Sequence, residues 1–353
     1  MNTVLVTGAG GFIGSYAAAE FATRGWRVFG TIHRHAPDTA DRPPDVRAAL
    51  AQVTFLRADV TDPVSLRDAV LKAAGGGRGK LDAIVHCAGR ASDVGRRKTF
   101  EAVNFGSVRH LVGLTQSQDV RRFVFISTTD VYGLRDFHGE NEDQLPLSPL
   151  PRNPYPVYKV AAEEFIRGEL PAERFSILRP AQVWGVGDRT LTARIEGFLR
   201  SSPCIVHFGR WRGANRWPLA HVRNVAKACV LAATLPQAAG QAINVLDGER
   251  TTIDEFTRIV ADVFLPGKRF RAVCLPAWIG LAVGAVVSGV SNALNLDHPF
   301  ADPSRYAVHA VSRNLDFSNR RMTRLMDAAG ESLATRDQGV EELRAHAGCV
   351  RAR

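Results

Sequence analysis

A doubly wound parallel α/β sheet with a smaller, interleaved C-terminal α/β region is the fold this sequence predicts. Three observations predict it. An apolar run at 4–6 leads straight into a glycine-rich turn at 7–14 and then a helical stretch at 15–23. Short apolar strands then alternate with helices as far as residue 179. After Gly185 that rhythm breaks, and the later segments read as a second unit.

The turn reads Thr7-Gly8-Ala9-Gly10-Gly11-Phe12-Ile13-Gly14. Glycines at this spacing allow a tight turn and let the backbone approach a pyrophosphate closely. The helix behind them offers free N–H groups and positive dipole density to that anion. Gly8, Gly11, Phe12, Ile13 and Gly14 are therefore candidate contacts to a dinucleotide. The frame is G-x-x-G-x-x-G, because Ile13 stands where G-x-G-x-x-G would need its last glycine.

The remaining elements follow in order. Strands are expected at 27–31 and 53–57, then a helix from 63 to about 74. The run 75–79 reads as a flexible exposed turn. A strand at 83–86, a helix from about 98 to 117 and a fifth strand at 123–127 come next. The polar, proline-rich 136–154 reads as a surface excursion. A helix from 155 to about 167 and a sixth strand at 175–179 complete a Rossmann-type sheet with right-handed crossovers. Later come a helix at 193–199, an irregular Trp- and Arg-rich stretch at 204–217, a helix at 222–233 and a strand at 242–246. Thr251 is the expected N-cap of a helix reaching 264. Residues 1–183, rejoined by 219–248, form the expected nucleotide-binding domain. Residues 184–218 and 249–353 form the expected substrate domain.

Of 353 residues, 45 are basic and 35 acidic, for a net charge of +10. Only six of the basic residues are lysine, and no run exceeds Arg96-Arg97-Lys98. Aromatic residues are not interleaved with the bases, so a nucleic-acid partner is not expected. The five cysteines are scattered without a C-x-x-C pair, which argues for reduced thiols and no metal site. With no basic n-region or apolar h-region at the start, a cytoplasmic protein is expected. The stretch 272–296 carries no charged residue. It reads as a buried or lid helix over an apolar pocket, with membrane contact the less favoured alternative.

Two further stretches carry chemistry. Tyr155 and Lys159 are four apart and share a helix face. An ammonium beside a phenol lowers the phenol pKa, making Tyr155 a candidate acid/base and Lys159 its tuner and a donor to the cofactor ribose. The fifth strand ends in Ser127-Thr128-Thr129-Asp130, at the carboxyl end of the sheet where ligands bind. The second strand ends in Thr31-Ile32-His33-Arg34-His35, with no carboxylate before Asp38. Arg34, with His33, suits a 2′-phosphate, so NADP(H) is favoured over NAD(H).

Together with Asp59-Val60, His86-Cys87-Ala88-Gly89, Val103-Asn104-Phe105-Gly106, Leu178-Arg179-Pro180 and His221-Val222-Arg223-Asn224, these pieces carry a family resemblance. The chain resembles the extended short-chain dehydrogenase/reductase superfamily, the NAD-dependent epimerase/dehydratase family, over roughly residues 1–250. The resemblance implies Tyr155 as acid/base with Lys159 as its partner. Thr128 is then the donor to the substrate oxygen, with Ser127 an alternative, and Asn104 a relay to water. It also implies Asp59 and Val60 beside the adenine, Ala88 beside the ribose, and a homodimer through the helices holding Asn104 and Tyr155. The sequence departs from the sugar-nucleotide patterns. Thr129-Asp130 replaces the dehydratases' Asp-Glu, and Gln182 replaces the epimerases' Asn. The loop 210–217, with Arg216, is a candidate diphosphate holder. Pro276, Pro299, Asn314-Leu315-Asp316-Phe317-Ser318 and Gln338-Gly339-Val340 loosely resemble 3β-hydroxysteroid dehydrogenase-like reductases. The expectation is an NADP(H)-dependent oxidoreductase interconverting a ketone and a secondary alcohol on a fairly apolar small molecule. A sugar-nucleotide epimerase or dehydratase, and a non-catalytic NADP(H)-binding regulator, are the alternatives.

Overall fold

The computed structural model describes residues 1–34, 39–76, 80–294, 296 and 304–351. Asp38, Pro299, Asn295 and residues 77–79 of the glycine-rich turn lie outside the described residues.

The strands are β1 (Thr3–Thr7), β2 (Arg27–Ile32), β3 (Thr54–Arg57), β4 (Ala83–His86), β5 (Arg122–Ile126), β6 (Phe137–Glu140), β7 (Phe175–Pro180), β8 (Gln182–Trp184), β9 (Cys204–Phe208), β10 (Leu219–His221), β11 (Ala242–Val245), β12 (Arg271–Leu275) and β13 (Leu315–Phe317). Seven of them form one parallel sheet in the order β11-β7-β5-β4-β1-β2-β3. The order reverses between β1 and β4, the switch point at which open α/β sheets bind their ligands. Strands buried on both faces read as continuous apolar runs, which is why β1, β4 and β5 were legible.

The helices are α1 (Phe12–Thr23), α2 (Pro44–Leu50), α3 (Pro63–Ala73), α4 (Arg97–Glu101), α5 (Ser107–Ser117), α6 (Pro154–Glu169), α7 (Thr192–Ser201), α8 (Val222–Thr234), α9 (Ile253–Phe264), α10 (Ala277–Ala293), α11 (Arg305–Val311), α12 (Arg320–Ala329) and α13 (Arg336–Arg351). On one face of the sheet α1, α2, α8 and α12 close a core that includes Tyr16, Phe21, Val225, Leu231, Met322 and Leu325. On the other, α3, α5 and α6 bury Leu66, Leu111, Val112 and Ile166 against β4 and β5. The local signals are physical. Asp62 accepts from the Val64 N–H ahead of α3, and Asn153 from the Tyr155 N–H ahead of α6, each followed by proline in the first turn.

Several expectations change. The helix expected from 98 to 117 is α4 and α5 joined by a π-helical turn, Ala102–Gly106. The 136–154 excursion contains β6, which pairs with β13 because Asn314 hydrogen-bonds Asp136 and the Phe137 carbonyl. The stretch expected to be irregular begins with β9, paired to β12. The cap of α9 is Thr252, in a capping box with Glu255, and Thr251 lies one residue outside it. The stretch 272–296 holds a strand and a helix, and that helix is largely exposed rather than buried. Met322, Leu325 and Met326 of α12 pack on the large core, so the last third of the chain returns to the sheet.

Candidate active site

The glycine turn sits at the switch point between β1 and β4. Gly8 has φ +69°, and a Cβ there would lie 2.8 Å from the Ala88 backbone. A Cβ on Gly14 would lie 2.2 Å from the Gly8 carbonyl oxygen. The turn therefore admits no side chain at either position. Gly11 caps α1 without a side-chain hydrogen bond, and no acidic residue occupies the first turn. The Phe12 and Ile13 N–H groups find no acceptor among the described residues. An uncapped helix N-terminus with free donors fits a pyrophosphate.

The other residues expected to meet a cofactor lie as follows. The Ala88 N–H donates to Thr7 Oγ1 (3.3 Å), and Thr7 also bonds His86 Nδ1 (2.7 Å). Burial pushes His86 down to about 3, so it is a neutral strut between Thr7 and Ser107. Val60 packs at the edge of the second core. Asp59 accepts from the Thr61 N–H, which with the Thr61 hydroxyl holds its carboxyl below the usual range, and it faces His33 Nε2 at 3.4 Å. Arg34, at the end of β2, is exposed and has no ion pair among the described residues.

The chemistry sits at the carboxyl ends of β4 and β5. Adjacent hydroxyls there have different fates. Ser127 Oγ donates to Glu163 (2.5 Å), whose carboxylate is bonded by Arg179. The Thr128 hydroxyl lies beside the Tyr155 phenol and accepts from the Asp130 N–H (3.2 Å). Lys159 Nζ donates to the Ile126 carbonyl (2.7 Å), 4.6 Å above the Phe125 ring and 5.9 Å from the Tyr155 ring centre. Burial pushes Lys159 down to about 8. The Tyr155 phenol is pushed up, first by burial and then by Asp130, while the Thr128 hydroxyl pulls it down. The expectation that Lys159 lowers the phenol is not met in this arrangement, because its ammonium is desolvated and committed to a backbone carbonyl. Asn104 is fully buried in the π-helical turn and clamps the Arg90 backbone from both sides, at 2.8 and 3.0 Å. It holds the loop after β4 in place. A Cβ on Gly89 would lie 3.2 Å from Asn104 and 3.4 Å from Lys159 Nζ, which packs the three together.

A model of the NAD dependent epimerase/dehydratase family matches residues 4–245. The chain belongs to that family. Its family membership, with the Rossmann-type sheet, makes it an NAD(P)-dependent oxidoreductase of the extended short-chain dehydrogenase/reductase type. Among characterised relatives, it is 30% identical over 277 residues to a 3 beta-hydroxysteroid dehydrogenase/Delta 5→4-isomerase of Mycobacterium tuberculosis, covering 74% of this chain and 69% of that one. It is 27% identical to the 2-alkyl-3-oxoalkanoate reductase of Stenotrophomonas maltophilia, over 78% of this chain and 83% of that one. The fold is shared with a short-chain dehydrogenase/reductase superfamily protein from Agrobacterium tumefaciens solved with NAD (TM-score 0.69, 22% identity, 99% and 98% coverage). It is shared too with a UDP-glucose 4-epimerase from Thermotoga maritima (TM-score 0.70, 19% identity, 99% and 100% coverage).

Within this epimerase/dehydratase-family site, Asp130 and Tyr306 escaped the sequence reading as neighbours of Tyr155, as did Asp93, which acts on those two. Burial pushes the Asp130 carboxyl up to about 6, with Asp93 adding to the rise and Tyr306 and Thr128 opposing it. Tyr306, from α11, is raised by burial and then by Asp130, and its buried hydroxyl lacks a well-formed hydrogen bond. Asp93 is held by Arg194 (3.1 Å) and Ser304 (2.5 Å). Tyr306 is one of five tyrosines, and no spacing motif marks it. Two arginines of the candidate diphosphate loop have partners within the chain. Arg210 pairs with Asp136 at 2.5 Å, and Arg216 donates to the Arg250 carbonyl at 3.2 Å.

Proposed function

We propose that this enzyme reduces a ketone on a fairly apolar small molecule to a secondary alcohol, or runs the reverse, with NADP(H) as the favoured cofactor. When bound, the nicotinamide supplies or accepts the hydride. In this reading the Thr128 hydroxyl positions the substrate oxygen and Tyr155 carries the proton to and from it. Lys159, whose ammonium has donors beyond the one given to Ile126, holds the ribose of the nicotinamide half. Arg34, exposed beyond β2, takes the 2′-phosphate.

The observation that carries the reading is what surrounds Tyr155. Tyr306 of α11 meets Asp130 beside it, and α11 packs on α10, a helix without a charged residue. Of the arginines suited to a sugar diphosphate, Arg210 pairs with Asp136 and Arg216 gives one donor to a backbone carbonyl. The two relatives whose names specify a hydroxysteroid and an oxoalkanoate point the same way. The test is NADPH consumption across a panel of apolar ketones, run beside UDP-sugars. NADPH loss with ketones is expected. Interconversion of UDP-sugars without net cofactor change would replace this reading with epimerisation.

A further inference from the structure

Eight large hydrophobic side chains are exposed among the described residues, and six of them fall between 273 and 294. They are Val273, Trp278, Val283, Val286, Val290 and Leu294. Helix α10 explains why. It buries only Gly280, Gly284, Val287 and Ser291, one narrow stripe at i, i+4, i+7 and i+11. A Cβ on Gly280 would lie 2.6 Å from the Phe208 ring, and one on Gly284 2.7 Å from the Arg305 backbone. The stripe thus seats the helix flat against β9 and α11, while Ser288 fixes the Arg305 N–H at 3.0 Å. At about 100° per residue, Trp278 and Val286 fall on the side of the helix opposite this stripe, and Val283 and Val290 fall on one flank of it. Ordinary surface helices turn a polar face to water, and this one turns an apolar face.

Within this stretch of sequence the charge has one sign. From 263 to 296 the sequence holds no carboxylate, and it holds Lys268, Arg269 and Arg271 just ahead of β12. All three are exposed, and Arg269 and Arg271 have no ion pair among the described residues. Arg305, at the start of α11, is exposed as well. No helix among the described residues is long and apolar enough to cross a membrane. We propose that the outward face of α10, with Trp278 as its anchor and the exposed bases at 268–271 one short strand away along the chain, docks onto an anionic lipid surface. An apolar face, an exposed indole at one end and flanking bases are what a helix lying in the interfacial plane needs. The docked face adjoins the site, since the Gly95 N–H, from the loop after β4, donates to Asn292 Oδ1 of α10 at 3.2 Å.

The test is co-sedimentation of the full chain with phosphatidylcholine vesicles, with and without 30% phosphatidylglycerol. The wild type is expected to bind the anionic vesicles at least tenfold more tightly than the neutral ones, and less tightly as salt rises. Val286→Glu with Val290→Glu is expected to weaken binding at least tenfold. Arg269→Glu with Arg271→Glu is expected to erase the preference for anionic lipid. Unchanged thermal melting and unchanged NADPH turnover on a water-soluble ketone establish that the variants fold. Failure of the wild type to bind either vesicle overturns the proposal. So does a light-scattering dimer that Val286→Glu with Val290→Glu dissociates while vesicle binding is absent, because the face then belongs to a second copy of the chain.

Discussion

Two buried clusters meet at the end of β5, and their contrast explains the site. The first starts at Ser127, which donates to Glu163. Arg179 binds both oxygens of that carboxylate and also Tyr132 (2.7 Å), which reaches Asn244 (2.7 Å). Each group in it has a partner, and the Arg179–Glu163 pair is almost fully enclosed. The second starts one residue later, at Thr128, and takes in Tyr155, Asp130 and Tyr306. Here the phenols are pushed up, the carboxyl is pushed up and the Tyr306 hydroxyl is poorly satisfied. A saturated network fixes geometry, whereas an unsaturated one has hydrogen-bonding capacity left for a substrate.

The contrast can be broken from either side. Glu163→Gln should have the largest effect on stability, about 3–5 kcal/mol, because it leaves the Arg179 guanidinium buried without its counter-charge. Urea unfolding measures it, and a loss under 1 kcal/mol would mean that the first cluster is not holding the strand ends. Tyr155→Phe should do the reverse. Turnover is expected to fall by about 10²–10⁴-fold with melting temperature and NADPH affinity nearly unchanged. Persisting activity would remove Tyr155 from its proposed role.

Asp130→Asn tests the second cluster by pH. The folded carboxyl titrates near 6 against 3.8 when free, so the stability linked to its protonation is full below about 4 and lost as the pH rises through 6. The variant should therefore exceed the wild type at pH 7.5, by roughly 1–3 kcal/mol, and match it near pH 4. A gap that does not change with pH would separate Asp130 from the titration. The smallest effect is expected beyond the end of β2. Arg34→Asp should lower the preference for NADPH over NADH by about tenfold, read from the ratio of kcat/KM values. An unchanged ratio would leave the 2′-phosphate to another group.

The first half of the molecule was legible because its signals are local. A glycine turn, apolar strands of four to six residues and proline-led helix starts each announce themselves within a few positions, and Thr128, Tyr155 and Lys159 inherit their places from them. Tyr306 was not legible, since only the packing of α11 against α10 brings it to Asp130. The exposure of α10 was hidden for a related reason. An uncharged stretch has the same composition whether it faces a core or the outside, and only its small-residue stripe, once seated, tells the two apart. Thr252 for Thr251, and β9 in a stretch expected to be irregular, are errors of boundary and of pairing, which short segments do not encode alone.

The return of α12 to the sheet bears on how the molecule is made. β11 closes the sheet only after some two-thirds of the chain has been synthesised, and Met322, Leu325 and Met326 cover that face later still. Until they arrive, a nascent chain with its glycine turn already formed carries an open edge and an uncovered apolar face. Such an assembly, dominated by contacts distant in sequence, folds slowly and is exposed to aggregation while it waits. Substitutions at the docking of α12 on α8 and β11, far from any chemistry, are thereby expected to lower the yield of folded enzyme.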